Sequence, residues 1–243
     1  MGLDQCPSLF CPETVERSGD TYSLERHLAG LGYCRIAGVD EAGRGPLAGP
    51  VVAGCVILPE KCDHSLFKDS KKLTARQRDA SYDILMELDA ATGVGICSPR
   101  KIEEINILQA SLLAMKLAVQ DCLGSGLPDF LLVDGTFPVP LAIPQQSLTK
   151  GESRSASIAA ASIIAKVTRD RIMARAHQQY PQYNFLANQG YPTREHRLAI
   201  AEHGPCDLHR RTFKGVREFC PRQGERAALP DQQSLWEQQG KRG

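Results

Sequence analysis

Two adjacent carboxylates, Asp40 and Glu41, end an apolar run and are followed at once by Gly43-Arg44-Gly45. Acids held together beside a sheet repel, by roughly 4 kcal/mol for two unit charges about 4 Å apart at an effective dielectric near 20. A hard divalent cation such as Mg²⁺ or Mn²⁺ turns that repulsion into binding, because both prefer carboxylate oxygens. The glycines let the backbone reach conformations closed to other residues and come close to a ligand. Successive strand residues point to opposite faces, so both acids reach one ion only if Glu41 curls round or the strand kinks. A nucleotide-binding P-loop is the competing pattern, since Gly38 to Gly45 almost fits G-x-x-x-x-G-K-[ST]. Arg44 and Gly45 stand where Lys and Ser/Thr are required, which excludes it.

Other candidates are weaker by themselves. Asp134-Gly135 ends a second apolar run and suits a tight turn as well as a site. Cys62-Asp63-His64, in a loop beside Pro59, reads as a polar turn and is assigned no metal. Four histidines, at 177, 196, 203 and 209, show no metal-ligand spacing, so core or surface positions are expected for them.

The elements that must position these groups follow from pattern. Cys34 to Val39 and Pro50 to Leu58 read as buried strands joined by a tight connection that holds Asp40, Glu41 and Arg44. Ser23 to Leu31 reads as a short helix. Leu58 to Leu73 is a loop rich in Lys and Asp. Thr74-Ala75-Arg76-Gln77 resembles a capping box opening a helix to about Ala91, and Val94 to Cys97 a short strand. Ser98-Pro99 starts a helix and Asn106 caps the next, which runs to about Leu123 with Ile107, Ala110, Ala114 and Leu117 on one face. Asp129 to Asp134 is a continuous apolar strand, and Leu141 to Leu148 the next. Ser155 to Tyr180 is a long helix whose opening small residues would let it lie close to the sheet, with its positive dipole end near the acids. Asp170, beside Arg169 on that helix, is expected in a structural ion pair. Thr193 to His203 is a further helix stopped by Gly204-Pro205.

Composition bounds the class. A chain of 243 residues, 42% hydrophobic, can bury one sizeable core. No apolar stretch is long enough to span a bilayer, and the start lacks a basic signal-peptide region. Nine cysteines, an odd number without any C-x-x-C pair, favour reduced thiols in a cytosol. A soluble cytoplasmic protein is expected. The net charge of +1 argues against a uniformly basic nucleic-acid binder. Its distribution does not: residues 166–217 carry ten Lys/Arg against four Asp/Glu. A basic lobe facing acids that bind metal is what phosphodiester chemistry needs.

At this point the residues resemble a known family. Gly38 to Gly54 is similar to the opening motif of ribonuclease HII, the type 2 ribonuclease H family. Asp69-Ser70-Lys71-Lys72-Leu73, Val133-Asp134-Gly135, Ala160 to Asp170, Gly190-Tyr191-Pro192-Thr193 and His209-Arg210-Arg211-Thr212-Phe213 match in the same order. Together they span roughly residues 34 to 216. Related ribonuclease HIII proteins carry an extra domain before the first strand; only about thirty-three residues precede it here, which points to type HII.

The resemblance implies an α/β fold: a ribonuclease H-like mixed β-sheet flanked by helices, with a helical C-terminal portion. It divides the chain into an N-terminal segment with a short helix (1–33), a catalytic domain (34–220) and a flexible C-terminal tail (221–243). It implies an endoribonuclease that hydrolyses the RNA strand of RNA/DNA hybrids. The cut would also fall 5′ to ribonucleotides embedded in duplex DNA, by two-metal-ion hydrolysis with Mn²⁺ or Mg²⁺, leaving 5′-phosphate and 3′-hydroxyl ends. Asp40, Glu41 and Asp134 would be catalytic metal ligands. The family's fourth acid falls on Glu152, one methylene longer than an Asp in that place. The backbone of Gly43, Arg44 and Gly45 would contact the 2′-hydroxyl, the group that separates RNA from DNA, and Tyr191 would bond to it and stack at the RNA-to-DNA junction. Gln189 stands where the family often has a Lys.

Outside the catalytic match, Gln232-Gln233-Ser234-Leu235-Trp236 resembles short peptides that dock bacterial sliding clamps, through Gln232, Ser234, Leu235 and Trp236. A monomer with no membrane attachment is expected. The rival of a different class is a non-catalytic hybrid-binding module on the same fold, for which the residues at 152 and 189 are the motive.

Overall fold

The computed structural model describes residues 20–67, 70, 73–88, 90–122 and 126–220. Asp69, Lys71, Lys72, the first nineteen residues and the tail with Gln232, Ser234, Leu235 and Trp236 lie outside the described residues.

Five strands form one mixed sheet: β1 Ile36–Ala42, β2 Val51–Ile57, β3 Ala91–Cys97, β4 Phe130–Asp134 and β5 Gln145–Leu148, in the order β3-β2-β1-β4-β5. β1 runs antiparallel to β2 and β2 to β3, while β4 is parallel to both β1 and β5. The helices are α1 Ser23–Gly30, α2 Ala75–Glu87, α3 Pro99–Asp121, α4 Ala156–Gln179, the one-turn α5 Phe185–Asn188 and α6 Arg194–His203.

The sheet's two faces are covered differently because strand side chains alternate. Ala37, Val39, Leu131 and Val133 pack against the small-residue stripe Ala110, Ala114 and Ala118 of α3. The opposite face meets α4 at backbone distance: a Cβ on Gly38 would stand 2.0 Å from the Ser157 carbonyl carbon, and one on Gly54 2.4 Å from the Ala161 oxygen. Glycine in the strand and small residues in the helix are therefore what allow α4 to lie against β1 and β2, as expected. A separate C-terminal cluster of Leu47, Ala48, Met173, Tyr183, Phe185, Ile200, Leu208 and Val216 ties residues 180–216 onto the loop after β1.

The structure moves several expected boundaries. β1 stays paired through Glu41↔Ala53 and Ala42↔Val52, so the two acids belong to the strand and not to the loop. α2 stops at Glu87, and residues 91–97 instead pair with all of β2, because a full ladder outweighs local helix preference. β5 begins only at Gln145. The preceding residues are gathered by the Gln145 side chain, which accepts from Val139 N at 2.8 Å and donates to the carbonyls of Val139 and Leu141. Leu117, expected on the packed face, is 38% exposed, while Met115 and Val119, expected beside that face, are buried. Asn106 behaves as expected: it breaks α3 with φ 66°, and its Oδ1 accepts from Leu108 N and Gln109 N. Among the described residues, no helix is long and apolar enough to cross a membrane.

Candidate active site

Register brings the acids together. In the parallel pair, Val39 stands opposite Val133 and closes the ladder between the two strands, so the next residues, Asp40 within β1 and Asp134 at the end of β4, lie side by side. Both share the parity of Gly38 and Leu132 and face the α4 side of the sheet. After β5, Lys150 adopts the left-handed conformation (φ 56°, ψ 39°) and turns the chain into the single 3₁₀ turn Gly151–Ser153, which carries the buried Glu152. Gly151 N–H donates to Asp134 Oδ1 at 2.7 Å and anchors that turn to β4. The turn leads directly into α4, whose N-cap Ser155 accepts from Ile158 N.

Asp40 is 4% exposed. Burial raises its pKa well above the ordinary carboxylate value, and the charges of Glu41, Asp134 and Glu152, in that order, raise it further. The four acids singled out in the sequence thus form one electrostatic cluster. Glu41 N–H donates to Asp40 Oδ1 at 2.7 Å. The strand does not kink at Glu41; its side chain receives Arg44 Nη1 on Oε1 at 3.2 Å.

As the side chains stand, no three His, Cys, Asp or Glu residues among those described converge tightly enough to enclose a metal ion. One oxygen each of Asp40, Glu41 and Asp134 is held by a protein donor. A carboxylate keeps further lone pairs after accepting one such bond. The donor set is all oxygen and anionic, with Asp40 kept from water, and this is the chemistry of a Mg²⁺ or Mn²⁺ site, not of a softer metal.

Beside the acids lies the recognition loop. Gly43 is buried with φ +97°, and a Cβ there would stand 2.2 Å from Arg169 Nε. Arg44 and Gly45 are exposed. Gly45 faces Tyr191, whose Cε1 would be 3.9 Å from an added Cβ, and Tyr191 is 43% exposed. The predicted substrate residues Gly43, Arg44, Gly45 and Tyr191 are therefore brought together. Gln189 is not aimed outward: it adopts φ 50°, its Nε2 donates to Leu186 O and its own carbonyl accepts from Arg169 Nη1.

Sequence reasoning missed the layer beneath this loop. Arg169 and Arg210 are both fully buried. Arg210 donates to the carbonyls of Gly43 (2.5 Å), Arg44 (2.8 Å) and Gly49 (3.0 Å). Arg169 donates to those of Pro50 (3.0 Å), Ala48 (3.1 Å) and Gln189 (3.0 Å). Its neighbour Asp170 pairs instead with Lys166 at 2.7 Å and Arg78 at 3.6 Å. Two histidines are also buried: His196 Nε2 lies 3.0 Å from His209 Nε2. Cys206 N–H must donate to His209 Nδ1, so His209 carries its proton on Nε2 and gives it to His196, whose Nδ1–H then donates to Tyr191 O. Burial favours the neutral rings, pushing His209 down to about 3 and lowering His196. The available signal was Arg169 inside the Ala160–Asp170 match and His209 and Arg210 inside the His209–Phe213 match, which pattern alone cannot assign to core or surface.

A mixed sheet whose central parallel strands carry paired acids where their ladder ends, backed by helices on both faces, defines the ribonuclease H class of α/β fold. Comparison with known proteins gives the particular family. The ribonuclease HII family model matches residues 37–216. The ribonuclease HII of Desulfotalea psychrophila is 60% identical over 201 residues, 82% of this chain and 89% of that protein. Among solved structures, the ribonuclease H2 of Pyrococcus horikoshii OT3 superposes with a TM-score of 0.63 at 29% identity, covering 76% of this chain and 97% of that one. A Bst-RNase HIII in complex with Mn²⁺ shares the fold at 19% identity, with a TM-score of 0.61 over 78% of this chain and 70% of that one.

The chain belongs to the ribonuclease HII family. It is a metal-dependent endoribonuclease acting on RNA/DNA hybrids, and the non-catalytic module is set aside.

Proposed function

We propose that Asp40, Glu41, Asp134 and Glu152 hold two Mg²⁺ or Mn²⁺ ions, and that the enzyme cuts on the 5′ side of ribonucleotides embedded in duplex DNA as well as within hybrids. The observation that carries this reading is the placement of Asp40 and Asp134 side by side where the ladder of β1 and β4 ends, with the turn bearing Glu152 hydrogen-bonded to Asp134. Divalent ions, when bound, would supply the Lewis acidity that activates a water and stabilises the departing 3′ oxygen. The protein's own part is positional. Gly151 N–H orients Asp134, and the close contact of α4 with β1 fixes Glu152 relative to Asp40. Glu41, on the opposite parity, reaches the cluster through its longer side chain, where Arg44 competes for it.

Substrate selection falls to Gly43, Arg44, Gly45 and Tyr191, the first three through backbone and Tyr191 through its exposed ring and hydroxyl. The basic lobe binds phosphates, so affinity should fall as salt rises. The catalytic unit spans about residues 34–220 and works as a cytoplasmic monomer. Wild type and Asp40→Asn, each with Mg²⁺ or Mn²⁺, should be tested on a duplex containing one ribonucleotide. A single cut 5′ to it, leaving a 3′-hydroxyl and lost in Asp40→Asn, is expected; cleavage that persists in the variant, or falls elsewhere, would overturn the assignment.

The tail supplies a second contact in this reading: Gln232, Ser234, Leu235 and Trp236 dock a sliding clamp. Its support is the pattern of those residues, with the only tryptophan of the chain among them. A clamp that retains Leu235→Ala and Trp236→Ala variants as well as wild type would remove that part.

A further inference from the structure

Arg169 and Arg210 present an unusual pairing. Two guanidinium groups are buried near each other, and the six hydrogen bonds described above all go to backbone carbonyls. Burying cations is unfavourable unless the site gains something that fewer charges could not supply. Burial, and after it the charge of Arg169, lower the Arg210 pKa to about 9, which leaves it cationic at neutral pH.

What the site gains is the direction of two peptide units. A trans peptide is planar, with its C=O and the following N–H pointing opposite ways. The described residues contain no cis bond. Arg210 holds the carbonyls of Gly43 and Arg44 inward, so the N–H groups of Arg44 and Gly45 must point outward. Both residues are exposed, and among the described residues neither amide donates to a protein acceptor. Arg169 completes the frame. It fixes Ala48 and Pro50 at the far end of the loop and Gln189 two residues before Tyr191, and its guanidinium lies 5.9 Å from the centre of the Tyr191 ring. One cation therefore aims the loop's donors, and the other registers them against Tyr191.

We infer that Arg210 and Arg169 are positioning residues for ribose recognition: they hold the amides of Arg44 and Gly45 as an outward pair of donors for the 2′-hydroxyl oxygen, set beside Tyr191. This deepens the proposed function and rests on its reading that this loop faces the ribose. A lysine in place of Arg210 keeps the charge but cannot span three carbonyls with a planar fork, so the loop's peptides are freed to rotate while the positive potential remains. Loss of position, and not of charge, is then what the variant reports.

The test compares wild type, Arg210→Lys and Arg169→Lys in full-length form, with the melting temperature of each recorded. Binding to a duplex with one embedded ribonucleotide and to the same duplex in all-DNA form is measured in EDTA, so that neither is cut. Wild type should prefer the ribonucleotide duplex. In each folded variant that preference should shrink by about fivefold, the net worth of roughly one hydrogen bond, while affinity for the all-DNA duplex changes less than about twofold. A merely structural role would weaken both duplexes together.

Wild type alone supplies a second readout. The Arg44 and Gly45 amides should exchange rapidly in the free protein and become protected by the ribonucleotide duplex but not by the all-DNA one. If wild type shows no preference between the duplexes, the reading of the loop fails and the inference with it. If wild type prefers ribose and folded Arg210→Lys keeps the full preference, the inference alone is wrong. Amides of Arg44 and Gly45 already protected in the free protein would also overturn it, whether or not the variants fold.

Discussion

Replacing Asp134 by Asn separates the electrostatics of the acid cluster from its architecture. Asn retains an Oδ1 that can accept the Gly151 N–H, 2.7 Å away in the wild type, so the turn carrying Glu152 keeps its anchor. What disappears is one of the three charges that raise Asp40. Neighbouring strands lie about 4.8 Å apart, and two carboxylates at about 5 Å repel by roughly 3 kcal/mol at an effective dielectric near 20. Asp134 is only half-buried, so water screens part of this and a gain of about 1 to 2 kcal/mol is expected in the metal-free protein at pH above the raised Asp40 pKa. For a domain of this size that is a rise in Tm of about 2 to 6 °C.

The sign with pH follows from the raised Asp40 pKa. Its charge is present above the raised value and is lost as pH falls through it, so the variant's advantage shrinks on acidification. Metal should act the other way. An ion at 100 times its Kd stabilises wild type by about 2.7 kcal/mol, and the variant should show less than about half of the resulting Tm shift, with cleavage reduced more than about 100-fold. The assay is thermal unfolding with EDTA and with Mn²⁺ at several pH values, beside cleavage of a hybrid. A metal-free Tm below that of wild type, or an undiminished Mn²⁺ shift, would refute the reasoning.

Three further outcomes are expected. Glu25 in α1 is buried, its Oε1 accepts from Ser155 Oγ (2.6 Å) and Ser157 N (3.0 Å), and burial raises its pKa. Its folded pKa therefore exceeds its unfolded one, and wild type should lose stability relative to Glu25→Gln as pH rises from the ordinary glutamate value through the raised one; urea titrations that run parallel between pH 4 and 8 would contradict this. Gly38→Ala places a Cβ 2.0 Å from the Ser157 carbonyl carbon and should destabilise by about 3 kcal/mol or more, whereas Gly30→Ala meets nothing within 4 Å and should be neutral or stabilising by under about 1 kcal/mol. Chemical denaturation of the two distinguishes them, and equal effects would show that α4 can move off the sheet. Asp170→Asn removes partly exposed pairs with Lys166 and Arg78 and should cost under about 1 kcal/mol in the same assay.

The sequence by itself determined those features whose cause is local. Asn106 and the Thr74–Gln77 box mark helix starts because their side chains bond backbone donors two or three residues on. The apolar runs ending in Asp40 and Asp134 read as strands closing on acids, and the motif series gave the family. Boundaries drifted where pairing overruled propensity, as at residues 91–97, because a ladder's hydrogen bonds come from a partner strand that no window of sequence contains.

Only the tertiary structure decided that Asp40 and Asp134, ninety-four positions apart, lie side by side just past the last pair of the β1–β4 ladder. It alone revealed that Gly151 ties Glu152's turn to that pair, and that Glu41 is drawn toward Arg44. The same holds for Arg169 and Arg210, whose carbonyl partners at residues 43–50 lie at least 119 positions away. In sequence they look like any arginine of a basic lobe. Nothing but long-range packing distinguishes a cation at the surface from one buried beneath a loop, because the desolvation that makes its hydrogen bonds obligatory is a property of the folded whole.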